Sequence, residues 1–266
     1  MKTLATITLD NVKAVYSGAE GALWELIMGE QIHIGGMASS NALADAAGLA
    51  RDLHGVDLCC CSGAGMRFLV RFRGAASMRG IDATPRSIAN CRARCEAEGS
   101  ADRIEGILAD ACSTGLPSAS ADFVWGEDAW CYVVDKPALI AEAARIVKPG
   151  GTIAFTDWME GEGLSDAEAH RFMTFMKFPS MASIADYTRL LADSGCEVRA
   201  AENTGQFARH IDLYLDMLSM QLSYDALRII GFDAPLKNAL AAEMAFARDL
   251  AHAGKIAQGR FVAVRR

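Results

Sequence analysis

No stretch of this sequence approaches 18 uninterrupted apolar residues, no run of lysines and arginines occurs, and no repeat or low-complexity tract interrupts it. Each absence excludes something. Without a long apolar segment no helix is expected to cross a bilayer, so no membrane partner is expected. MKTLATITLDNVKAVYSG, with one early lysine and no apolar core behind it, does not read as a secretory leader, and the expectation is a cytoplasmic protein. Without clustered basic residues, and at a net charge of −7, the chain is poorly suited to neutralise a phosphate backbone, and no nucleic-acid partner is expected. Cysteines and histidines at metal-ligand spacing are also missing. Cys91 and Cys95 stand four apart with no neighbouring ligand, so no metal site is expected.

What is present suits a large core. The 266 residues are 52% hydrophobic, which fits one α/β domain with a helical addition. Of the eight cysteines, Cys59, Cys60 and Cys61 fall in the first core strand and its loop, where bridging is difficult, and read as reduced thiols acting as small hydrophobes. Cys91 and Cys95 share a helix face with Ile88, in a helix opened by Thr84 and Pro85. The segment DLYLDMLSMQL is apolar enough for a helix buried between layers or for a homodimer contact.

The residues from Val56 to Asp82 read VDLCCCSGAG…MRGIDA: a buried strand with Asp57, a loop of small residues, and a second strand ending in an acid. A loop of this kind lets backbone N–H groups and a helix N-terminus approach a ligand, while Asp82 can accept hydrogen bonds from two ribose hydroxyls. Nicotinamide and flavin folds share that arrangement, as does a well-packed βαβ corner. The segments downstream narrow the choice. ILADA ends a strand at Asp110; ADFVWGEDAW ends another at Glu127 and Asp128; Asp135, Lys136 and Pro137 open a helix that Pro149, Gly150 and Gly151 stop; and TIAFTDW follows.

This ordered set, over roughly residues 55–158, resembles the class I methyltransferases that use S-adenosylmethionine (SAM) and release S-adenosylhomocysteine. The resemblance implies a Rossmann-like α/β fold, a seven-stranded mostly parallel sheet with an antiparallel last strand. It implies cofactor contacts from Asp57, Cys59, Ser62 and Gly63 in the first loop, from Asp82 and Ala83 at the ribose, from Asp110 and Ala111 at the adenine, and from Glu127 near the methionine moiety. The family's first loop runs D-x-G-x-G-x-G, and here Cys59 and Cys61 stand at the first two glycine positions. Because a Cβ disfavours positive φ, the loop is expected to keep ordinary backbone angles or to shift away from the cofactor.

GEQIHIG, from Gly29 to Gly35, is similar to a segment that precedes the SAM domain in sarcosine/dimethylglycine N-methyltransferase-like enzymes, and KFPSMASIADYTRLLADSGCEV and the C-terminal layout follow the same branch. That likeness gives Tyr16 a place at the cofactor and makes His33, Asp128 and Tyr132 the catalytic candidates, with Tyr132 where related enzymes have His. Trp24, Trp130, Asp157 and Trp158 are candidates for the substrate wall, Trp130 by cation–π attraction to an amine. Trp24 also fits a core helix position, Trp130 the underside of a cap, and Asp157 a solvated acidic loop. Lys177 and Arg209 read either as partners of a substrate carboxylate or as surface charges. The cysteine count admits a likeness to arsenite methyltransferases, but the paired vicinal cysteines those enzymes often carry near the C-terminus are missing.

The expected organisation is a single domain over 1–266: a helical lid over 1–54, the SAM-binding core over 55–158, helical cap insertions over 159–196 and 206–256, and last strands over 197–205 and 257–266. Two helical patterns are legible before the core, near 21–28 and over 40–53. The expected function is methyl transfer from SAM to a small molecule, foremost N-methylation of a small amine such as sarcosine or dimethylglycine. O- or C-methylation of a phenolic, quinone-like or polyketide acceptor, and noncatalytic SAM binding, are the alternatives. Substituting Asp82→Ala is expected to abolish SAM binding in calorimetry; retained affinity would displace the ribose site.

Overall fold

The computed structural model describes residues Met1–Arg266. A short strand β1 (Lys2–Thr3) and helices α1 (Leu9–Ser17), α2 (Ala19–Met28) and α3 (Gly36–Ala46) precede the first core strand, β2 (His54–Leu58). There follow α4 (Ala64–Phe68) with a π-helical turn over Leu69–Arg73, β3 (Ser77–Asp82), α5 (Pro85–Ala97), β4 (Ile104–Leu108), β5 (Ala121–Glu127), α6 (Lys136–Ile146) and β6 (Val147–Glu160). Helix α7 (Asp166–Met176), strand β7 (Ser180–Met181) and α8 (Ile184–Asp193) lead to β8 (Cys196–Asn203). Helices α9 (Phe207–Ser219), α10 (Ser223–Ile229) and α11 (Ala234–His252) then lead to β9 (Ile256–Arg265).

The seven core strands lie in the order β4-β3-β2-β5-β6-β9-β8. Strands β4, β3, β2, β5 and β6 pair in parallel, and β9 runs antiparallel between β6 and β8. The fold is therefore the expected Rossmann-like sheet with its antiparallel last strand. The chain builds outward from β2 to β4, then returns to place β5 against the other side of β2. That reversal opens a crevice at the carboxyl ends of β2 and β5, where open α/β sheets bind ligands.

Local signals account for most element boundaries. Thr84 precedes Pro85 at the start of α5, and Asp135, whose carboxylate accepts from the amide of Ala138 at 2.9 Å, caps α6 ahead of Pro137. Ser165 and Glu168 form a capping box on α7. Cys91 and Cys95 are buried with Ile88 on the sheet-facing side of α5. Three apolar clusters result: one beneath α6 and α8, one on the opposite face with α3, α4 and α5, and a third uniting α1, α2, α7, α9 and α11.

Four features depart from the sequence reading. Helix α1 was not anticipated, although Leu9, Val12 and Tyr16 have helical spacing and Asn11 accepts from the Thr8 amide at 2.8 Å. Strand β1 pairs with β7 through two residues, too short a signal for any periodicity. Helix α3 ends at Ala46, short of Leu53, because Gly48 adopts a positive φ. Within the helical insertion expected over 206–256, the first helix breaks at Met220, giving α9 and α10.

Asp157 on β6 is fully buried and accepts from the Cys131 amide at 2.9 Å and the Tyr187 hydroxyl at 2.5 Å. Burial raises its carboxyl from the ordinary 3.8 to about 6, with the nearby Lys136 ammonium pulling the other way. Between those values the native state holds a proton that the unfolded chain releases, so this group withdraws stability as pH rises. Relative to Asp157→Asn, the parent is expected to lose up to about 3 kcal/mol between about pH 4 and 6, read from urea midpoints at each pH.

Candidate active site

A cavity of about 380 Å³ occupies the crevice at the β2 and β5 carboxyl ends. Asp82 anchors its floor. One carboxylate oxygen accepts from the Cys61 amide at 3.0 Å and the other from the Thr84 amide at 2.8 Å, so the acid at the end of β3 fixes both the first loop and the entry to α5. Burial raises its pKa, and those hydrogen bonds oppose the shift. Asp57, Ala83, Asp110 and Ala111 also line the cavity, with the Cys112 amide donating to Asp110 at 2.8 Å. Gly65, in the first turn of α4, faces Glu127: a Cβ there would stand 2.8 Å from Glu127 Oε2 and 3.4 Å from Asp57 Oδ2. The missing side chain leaves a cradle between two acids and a helix N-terminus.

The first loop overturns an expectation. Cys59 and Cys61 adopt φ of +66° and +46°, the left-handed conformation that their side chains were expected to forbid. The reason is the tightness of the turn. Both Cys59 and Cys60 donate to the carbonyl of Ile81, at 2.8 and 3.0 Å, and Cys61 reaches Asp82; this path needs left-handed residues whichever side chains occupy it. The cost is on the order of 1 kcal/mol at each position, carried by the surrounding packing and hydrogen bonds.

Above the cavity, the segment between α2 and α3 is stapled to the end of β5. Asp128, itself at φ +51°, accepts from the Ile34 amide and from Gln258 Nε2, both at 2.8 Å. Burial raises its pKa, opposed by the neighbouring His33 and by hydrogen bonds from Ile34, Thr156 and Gln258. His33 is buried with Nε2 3.3 Å from Glu127 Oε1 and 3.1 Å from Ser40 Oγ, and it does not line the cavity. The catalytic candidate His33 thus stands behind Glu127, outside the cavity.

Tyr16 and Tyr132 both line the cavity, edge to face with centroids 5.3 Å apart. Burial pushes both phenols well above their ordinary pKa, so they stay protonated at neutral pH. Leu9 and Val12 of α1, with Ile32 and Val133, complete an apolar wall that sequence reasoning missed.

Several candidates lie elsewhere. Trp130 is wholly buried under the site, stacked on Phe155 at 4.0 Å, with its indole N–H donating to the carbonyl of Leu58 at 3.2 Å. It therefore presents no face to a substrate. Asp157 and Trp158 are likewise interior: Trp158 packs edge-on against Phe178 and Phe207, because β6 continues past the crevice beneath α7. Trp24 borders a separate apolar cavity of about 330 Å³ between α2 and the cap helices. Ser62 turns away to accept from Arg94 Nη1 at 2.9 Å, and Gly63 begins α4 with no room for a Cβ beside Cys91. Lys177 donates to the carbonyl of Thr174 at 2.9 Å on the surface, and Arg209 borders a third cavity between α3 and α9. Neither reaches the crevice.

Comparison with known proteins agrees with this geometry. Residues 56–155 match the model of a methyltransferase domain. A dimethylglycine N-methyltransferase from Parasynechococcus marenigrum is 32% identical over 98 residues, 36% of this chain and 35% of the relative. A 27-O-demethylrifamycin SV methyltransferase from Amycolatopsis mediterranei is 32% identical over 112 residues, 41% of each chain. This chain thus spans well under half the length of these two curated relatives. Among solved structures, a phosphoethanolamine N-methyltransferase 2 from Haemonchus contortus, in complex with phosphomonomethylethanolamine and S-adenosylhomocysteine, superposes with a TM-score of 0.83 at 18% identity, covering 97% of this chain and 60% of that one. Over residues 56–155, then, the sequence resembles a methyltransferase domain, and the chain as a whole has the fold of such an enzyme.

Restoring glycine at both strained positions, Cys59→Gly with Cys61→Gly, is expected to leave the protein as stable as the parent or more so by about 1 kcal/mol, since relief of the left-handed Cβ offsets the entropy of added glycine. Cys59→Val is expected to lower the urea midpoint and weaken SAM binding together, as a β-branched side chain fits this conformation worst.

Proposed function

We propose that the protein transfers a methyl group from SAM to the nitrogen of a small amine. The observation that carries this reading is the crevice itself: an acid after each of β2 to β5 turned toward one cavity, roofed by two phenols held apart from bulk water. When bound, SAM supplies a methyl group activated by a sulfonium centre. The chain's contribution is to bind, align and keep the site dry.

In this reading Asp82 takes the ribose hydroxyls and Asp110 the adenine edge, while Asp57 and Glu127 flank the cradle at Gly65 and attract the amino group of the methionine moiety. The segment over 1–54 acts as a lid, with Leu9 and Val12 excluding water, and the insertions over 159–196 and 206–256 act as a cap. Asp128 faces the acceptor and is the group best suited to receive a proton from a protonated amine, because burial already raises its affinity for one. Tyr16 and Tyr132, protonated throughout the neutral range, orient the acceptor by O–H donation and by their ring faces. His33 acts through Glu127, by fixing its carboxylate.

Support for an amine comes from the acidic wall and from the dimethylglycine relative. O-methylation has its own support in the rifamycin relative, at the same 32% identity, and in the apolar side of the cavity. The deciding experiment is mass-spectrometric detection of methylated product after incubation with SAM and a panel of small amines, phenols and quinones. Product from amines is expected, with Tyr132→Phe lowering kcat at least tenfold while SAM affinity changes less than threefold. Product from phenols or quinones alone would move the assignment to oxygen or carbon, and SAM binding without any product would leave a cofactor-binding protein.

A further inference from the structure

Seven carboxylate side chains line the cofactor cavity, those of Glu30, Asp57, Asp82, Asp110, Glu127, Asp128 and Asp135, and no lysine, arginine or histidine does. Of the guanidinium groups around it, Arg86 borders an adjoining cavity and donates to the carbonyl of Ser17 at 2.7 Å. Arg67 is buried against Glu30 and Glu98, and Arg94 pairs with Glu25 and with Ser62 Oγ. Lys136, at the start of α6, is fully buried and turned away, with Nζ donating to the hydroxyl and carbonyl of Ser180 at 2.5 and 2.9 Å.

Resting on the methyl-transfer reading, we infer that the acceptor bears no carboxylate or phosphate: it is an amine on an uncharged or cationic molecule, seated against Leu9, Val12, Tyr16 and Tyr132. An anionic group on the acceptor would be stripped of water with no side-chain cation to pair it and would stand among carboxylates, both unfavourable, whereas the carboxylate of SAM itself can be met by backbone N–H groups of the first loop. Burial raises the pKa of Asp57, Asp82 and Asp128, which eases the crowding of like charges but creates no cation. An amine nitrogen meets the opposite conditions. As its lone pair forms the N–C bond and the S–C bond breaks, positive charge passes from sulfur to nitrogen, and the acidic wall favours that charge at both ends of the transfer. Sarcosine, dimethylglycine and phosphoethanolamine are thereby disfavoured as acceptors although proteins named for such substrates resemble this chain.

The test compares pairs that keep the amine and differ in the anionic group: sarcosine with N-methylethanolamine, dimethylglycine with N,N-dimethylethanolamine, phosphoethanolamine with ethanolamine. The full chain is assayed for kcat/KM with saturating SAM, and SAM binding is measured separately by calorimetry. The uncharged partner is expected to win each pair by at least tenfold. Val134→Lys, at the half-exposed rim of the cavity, is expected to narrow the ratio by supplying the missing cation. Equal or better turnover of the carboxylate and phosphate members overturns the inference and leaves methyl transfer standing. SAM binding with no methylation of any amine overturns the reading of methyl transfer to an amine and the inference with it.

Discussion

One buried carboxylate ties the molecule's three remote parts together. Asp128 at the end of β5 accepts from Ile34, in the segment joining α2 to α3, and from Gln258 on the last strand, while Gln258 also donates to the carbonyl of Ile34 at 3.2 Å. The residues brought together stand 94 and 130 positions from Asp128 in the chain. Such a node is stable only when complete. A buried donor left without its acceptor forfeits its hydration, at about 1–3 kcal/mol, so loss of the carboxylate exposes two orphan donors at once. The roof of the cavity therefore depends on β9 being inserted beside β6, and sheet topology reaches the chemistry through this single side chain.

The same economy of contacts explains how the first loop tolerates cysteines. Its hydrogen bonds converge on Ile81 and Asp82, adjacent residues at the end of β3, and fix the path before any side chain is considered. Glycine meets the required angles without steric cost; cysteine meets them with a small one. What cannot be relaxed is space: Gly63 abuts Cys91 and Gly65 abuts Glu127, and there a Cβ would collide. Of the four small positions in the loop, Cys59 and Cys61 are constrained by conformation, Gly65 by room and Gly63 by both, and only the lack of room excludes a side chain outright.

Much of this was legible in the sequence. Strand-ending acids mark the crevice because a parallel sheet aligns its carboxyl ends, so Asp82, Asp110 and Asp128 could be assigned to one edge without coordinates. The boundaries at Pro85, Pro137 and Ser165 followed from capping chemistry. Side-chain direction did not follow. Trp130 and Tyr132 are two residues apart in one short turn, yet one is buried beneath Leu58 and the other faces the cavity, a distinction that no periodicity in a three-residue 3₁₀ turn encodes. The likeness of GEQIHIG made His33 a catalytic candidate, but the glycines after it let the chain turn into α3 and bury the imidazole against Glu127. Helix α1 escaped notice because it spans only nine residues, although its apolar positions have the right spacing.

The aromatic rings show why cap and cavity respond together. Tyr132 is edge-on to Tyr16 on one side and to Phe178 on the other, at 5.3 and 4.9 Å, and Phe178 meets Trp158 at 5.6 Å, which meets Phe207 at 4.8 Å. This file of rings runs from α1 through the site to α9. Close-packed interiors transmit volume changes because they have no slack to absorb them. An alteration of the cap at Phe178 or Phe207 is thus felt at Tyr132 as a change of position, whereas the carboxylates at the strand ends, held by backbone amides, stay fixed. In the reading proposed above, the adenosyl half of SAM is bound by the sheet and the acceptor by the helices laid over it, so the two can vary independently within one fold.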